Sequence, residues 1–185
     1  MLNTILDRKS VELIFTITLF LSAALLFGVE PMFAKMILPR PGGSAAVWSV
    51  AIAFFQTMLF LGYLYAHIPT RYFSFITAAG VHFGVLAIAF LSLPIAVAPA
   101  FHEPPPGGED LWLIGLFATS VGLPFFAVSA TAPLMQAWFA RTETKNAQNP
   151  YVLYGASNVG SFAALLAYPF LIEPALTLRQ RRTGG

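Results

Sequence analysis

Few residues in this chain have side chains that could do chemistry, and the most conspicuous is Glu30. It lies in an apolar run that begins near Val11, about 28 Å along a helix at 1.5 Å per residue. An acid inside such a run is a candidate for solute or ion binding, because burying a carboxylate in an apolar medium is expensive. At the outer end of the apolar layer the cost is much smaller, so a structural role stands beside the functional one. Lys35 follows five residues later and is placed to pair with Glu30 across Pro31. Glu173 closes the last apolar run in the same Glu-Pro pattern. Two such endings on one face would make a mouth attractive to cations, and helix termination by proline explains each of them equally.

Other polar residues inside the apolar runs are sparse: Gln56, His82, Gln136 and Asn158, with His67 near one end. Amides at such positions bond from helix to helix in membranes, typically for ~1 kcal/mol. His82 shares its run with no second ionisable residue, so a satisfied packing histidine is expected rather than a proton relay or metal ligand. Ala156, Gly160 and Ala164 recur every fourth residue, a stripe that lets another helix approach closely. There is no phosphate-binding loop, dinucleotide fingerprint, Ser-His-Asp set or His-Glu-x-x-His. The expectation is a non-enzyme with no cofactor and no metal.

The elements that must position these residues are five apolar runs, at about 11–38, 45–68, 74–98, 111–139 and 151–172. Each approaches the ~20 residues a helix needs to cross the hydrocarbon core. Backbone groups in lipid must be satisfied internally, so the runs are expected to be helices. Composition agrees: of 185 residues 57% are hydrophobic and 10% charged, against about 25% charged in soluble domains. The expected fold is an all-α integral membrane domain over 11–175, between a tail at 1–10 and a basic tail at 176–185. Absence of cysteine excludes disulfides and thiolate metal sites. A net charge of +2 makes nucleic acid an unfavoured partner. The first run outlasts a signal h-region and is read as a retained membrane helix.

Breaks at Pro41-Gly42-Gly43, Pro69-Thr70-Arg71, 99–110 and 141–149 separate the runs, and Asn149-Pro150 opens the fifth. Pro124 and Pro133 are expected to bend the fourth. Trp48, Tyr63, Tyr65, Tyr72, Trp112, Trp138 and Tyr151 lie near run ends, as interfacial belts do. The break at 99–110 has no Lys or Arg and is easily translocated, which favours a cytoplasmic N-terminus in the inner membrane. Arg8, Lys9, Arg71, Arg141 and Lys145 are then inside, and Lys35, Arg40, Arg179, Arg181 and Arg182 outside.

The string Glu30-Pro-Met-Phe-Ala-Lys-Met-Ile-Leu-Pro39, followed by Gly42-Gly-Ser and Ala46-Val-Trp48, resembles the opening of membrane-bound spermidine synthase-like proteins. Phe54-Phe-Gln56, Leu61-Gly-Tyr-Leu-Tyr-Ala-His67, Pro150-Tyr-Val-Leu-Tyr-Gly-Ala-Ser-Asn-Val-Gly160 and Ala167-Tyr-Pro-Phe-Leu-Ile-Glu-Pro174 continue the likeness in order. The resemblance implies part of a major-facilitator-like half bundle, the front of a transporter-like region cut off before the family's aminopropyltransferase domain. It carries over no catalytic residue. Two functions are therefore expected: an accessory subunit packing against a larger membrane complex or against itself, or a half-transporter that oligomerises to move a small cationic solute.

Overall fold

The computed structural model describes residues 7–37, 45–97, 101, 105, 107–144, 146–147, 149, 151–172 and 174. All regular structure among them is helical. The elements are α1 (Arg8–Ile37), α2 (Ala45–Tyr72), α3 (Phe75–Leu91), α4 (Glu109–Phe117), α5 (Leu123–Phe139) and α6 (Tyr151–Ala167). A π-helical turn, Ala118–Gly122, joins α4 to α5, and a second, Tyr168–Ile172, extends α6. Three helical rods are long and apolar enough to cross a bilayer: Arg8–Phe33, Val47–Tyr72 and Glu109–Phe139. α3 is apolar but only 17 residues long.

Local chemistry explains most of the boundaries. The Ser74 hydroxyl caps α3 by accepting from the Thr77 N–H at 3.3 Å. α3 ends at Leu91, short of the expected 98, because Pro94 cannot donate to a helix and restricts Leu93 before it. At the opposite extreme, α2 runs on through Pro69, Thr70 and Arg71, which the sequence marked as a break. The Thr70 hydroxyl donates to the Ala66 carbonyl at 2.8 Å and keeps that turn satisfied. Glu109 and Asp110 occupy the first turn of α4, where the helix dipole favours acids. Asn149 Oδ1 accepts from the Tyr151 N–H and starts α6. Pro124 lies two residues past the first π turn, and Pro169 lies within the second. The missing N–H of a proline, and its clash with the carbonyl four residues back, are relieved by widening the turn.

Contacts fix the direction of each rod. Phe15 meets Phe139, Ser22 bonds Val128 and Phe33 meets Phe117, so α1 is antiparallel to α4–α5. Phe54 stacks on Phe117, Ser129 bonds Met58 and Arg141 bonds Thr70, so α2 runs parallel to them. Glu12, Phe20 and Pro31 meet Asn146, Gly160 and Tyr168 in turn, so α6 is parallel to α1. α5 is central, touching α1, α2 and α3, while α6 packs chiefly on α1 and forms an edge.

Two apolar clusters fill the interior. One joins Phe33, Phe54, Phe55, Leu116, Phe117 and Phe125, with ring centroids 4.7 Å apart for Phe55 and Phe125. The other, toward the N-terminal end of α1, joins Phe15, Leu19, Leu134, Trp138, Phe139 and Leu153. Between them the rods touch through small residues. A Cβ on Gly62 would strike the Ser129 hydroxyl and lie 3.0 Å from the Ala130 nitrogen. Ser22 and Ser129 donate across the bundle to the carbonyls of Val128 and Met58, at 3.1 and 3.3 Å.

Candidate functional site

The most concentrated chemistry lies where α2, α3 and α5 meet. α3 buries only Ala78, His82 and Ala89, a thin stripe that sets His82 against α5. The imidazole is 3% exposed. Its Nε2 is 3.1 Å from the Thr131 hydroxyl oxygen, and that hydroxyl donates to the Ala127 carbonyl at 3.0 Å. With the Thr131 hydrogen committed to Ala127, the His82 Nε2–H is the donor of the pair, and Nδ1 is left with a lone pair. Tyr65 and Trp138 flank the ring, with centroids at 6.0 and 6.4 Å. His82 Nδ1, the Tyr65 hydroxyl and Trp138 Nε1 are buried with no hydrogen-bond partner among the described residues. The cluster therefore leaves an imidazole lone pair, a phenol hydroxyl and an indole N–H buried without partners among the described residues.

This placement corrects one expectation and refines another. Tyr65 and Trp138 are not belt residues, because their polar atoms are buried between helices; Trp138 is 5% exposed and packs edge-on to Phe75. His82 is buried and hydrogen-bonded, as expected of a packing histidine, and its polar neighbours come from α2 and α5 rather than from its own helix. Thr131 and Trp138 are seven residues apart and so share a face of α5. That spacing is legible in sequence, but it does not say that α3 packs on that face.

The other sequence-marked residues are dispersed. Glu30 is half-buried near the far end of α1. Lys35 is exposed, with Nζ 6.0 Å from the centroid of Tyr168, and the Tyr168 hydroxyl donates to the Pro31 carbonyl at 3.2 Å. These contacts tie the end of α1 to the π turn after α6. Glu173 lies outside the described residues. Gly160 and Ala164 are buried, and a Cβ on Gly160 would strike the Phe20 carbonyl, so the small-residue stripe seats α6 on α1. Ala156, half-buried, borders a groove between the same two helices. Gln136 is half-buried on α5. Gln56 and Asn158 are exposed on the outer faces of α2 and α6, so neither packs between helices of this chain. None of the three amide side chains makes a hydrogen bond among the described residues.

Among the described residues no three His, Asp or Glu come together as metal ligands would. Comparison of the chain with family models, curated proteins and solved structures gives no match.

Proposed function

We propose that this chain is an integral membrane bundle of five spans that packs against further membrane-spanning helices as a non-catalytic subunit. The observation that carries the reading is the outward exposure of Gln56 and Asn158. Gln56 lies roughly 17 Å from the start of α2, and Asn158 roughly 10 Å from the start of α6, at 1.5 Å per residue. A side-chain amide left facing hydrocarbon without a partner costs several kcal/mol. A neighbouring helix that bonds it recovers ~1 kcal/mol and removes that penalty. Each amide sits among large apolar residues: Ile52 and Phe60 beside Gln56, Tyr154 and Phe162 beside Asn158. The likeness to the front part of the spermidine synthase-like membrane region, a major-facilitator-like half bundle, supports the same reading. So does the position of α6 as an edge helix. In this reading the bundle sits in the inner membrane with its N-terminus cytoplasmic.

Extraction from native membrane in mild detergent, followed by size-exclusion chromatography and mass spectrometry, tests this. A copurifying membrane protein or a second copy is expected, and joint Gln56→Leu and Asn158→Leu substitution should lower its recovery about tenfold while leaving helicity intact. A monomer without companions, or an association indifferent to both changes, would overturn the proposal.

A further inference from the structure

Between α1 and α6 runs an open apolar groove of about 350 Å³, lined by Thr16, Ile17 and Phe20 on one side and Gly155, Ala156 and Val159 on the other. At its outer end Thr16 also borders a second hollow, of about 330 Å³, lined by Lys9, Glu12 and Leu13. The two share Thr16, which sets the charged rim beside the apolar trough on one path along α1. At the inner end the path closes where Gly160 brings α6 onto the Phe20 backbone. From Lys9 to Phe20 is about 16 Å of helix, close to half of a ~30 Å hydrocarbon core. Rim and trough together cover about one leaflet; the trough itself runs roughly 6 Å along α1 and roughly 10 Å along α6, too short for a transmembrane helix and wide enough for a stretch of acyl chain.

The rim selects the headgroup. Lys9 is exposed and makes no ion pair among the described residues. It lies one turn from Glu12 on the same helix face, so a cation and an anion stand side by side. Glu12 Oε1 accepts from Asn146 Nδ2 at 2.7 Å, which fixes the carboxylate, and Oε2 makes no hydrogen bond among the described residues. A phosphate fits Lys9 and a primary ammonium fits Oε2. A quaternary ammonium has no N–H to donate there, and a purely anionic headgroup would meet Glu12 unfavourably.

We infer that the α1–α6 groove is a binding site for phosphatidylethanolamine, with one acyl chain in the trough and the headgroup between Lys9 and Glu12. Native mass spectrometry of the purified full chain, titrated with phosphatidylethanolamine, phosphatidylcholine or phosphatidylglycerol, tests it. Phosphatidylethanolamine should be retained about tenfold better than the other two, the size of one charge-assisted hydrogen bond. Glu12→Gln, which keeps an oxygen for Asn146 and removes the carboxylate that takes the ammonium, should remove most of that preference. Gly155→Leu fills the groove, and a Cβ there meets nothing within 4 Å; it should lower retention of all three lipids. Equal retention of the three lipids by the unaltered chain, or retention unchanged in both variants, would overturn the inference. So would cross-linking of Gly155→Cys to another polypeptide in native membrane.

Discussion

The Thr131 hydroxyl holds two bonds at once, donating to Ala127 and accepting from His82. Thr131→Val keeps the shape of the side chain and removes both. The His82 Nε2–H would then be a buried donor without an acceptor, a condition that costs roughly 1–3 kcal/mol. The expected result is a lower unfolding midpoint in detergent, by several degrees. Adding His82→Leu should recover part of that loss, because deleting both partners leaves no orphaned donor. A Thr131→Val midpoint equal to that of the unaltered chain would show that the bond contributes nothing. The sequence marked His82 as a packing residue, because its run holds no second ionisable residue, but did not show that the imidazole is enclosed. Its partner was not legible either, because Thr131 is 49 residues away and reaches it only once α3 lies on α5.

At the scale of elements, the small residues decide how closely rods approach. Gly160 has no room for a methyl group, since its Cβ position is filled by the Phe20 backbone, which cannot rotate away. Gly160→Ala should therefore displace α6 from α1 and cost about 1–3 kcal/mol, as overpacking does. Gly155→Ala, five residues earlier and facing open space, is the matched control and should be neutral or stabilising by up to about 1 kcal/mol. Comparison of their thermal unfolding checks the pair, and equal midpoints would mean that the α1–α6 contact yields easily. The four-residue spacing of Ala156, Gly160 and Ala164 announced close packing. It did not announce α1 as the neighbour, which follows from the parallel course of the two helices.

At the scale of the whole molecule, the alternating directions of the rods gather Arg8, Lys9, Arg71 and Arg141 at one end, where Arg141 donates to the Thr70 carbonyl at 2.6 Å. Glu109 and Asp110 stand at the other. With basic residues held inside, the chain should lie with its N-terminus cytoplasmic. Because the chain has no cysteine, single substitutions report on each end separately. Asp110→Cys should react with a membrane-impermeant maleimide in intact cells, and Arg71→Cys only after permeabilisation. Labelling of both from the same side would contradict the topology.

Hydrophobic composition and run length by themselves determined that the chain is helical and where most rods lie, because only helices and closed barrels satisfy backbone groups in lipid and the runs lack the alternation of barrel strands. Proline and glycine punctuation located the ends less well. Pro94 ended α3 early, whereas Pro69 was carried inside α2, since a helix tolerates a proline when nearby groups satisfy the freed carbonyls. Only the tertiary structure decided which face of each rod is covered. A run that is apolar all round has no periodicity to mark its buried side, so the outward exposure of Gln56 and Asn158, and the enclosure of Tyr65, His82 and Trp138, depend on how the rods are arranged. The same reason sets Glu12 apart from what the sequence showed: it borders a hollow that Lys9 also lines.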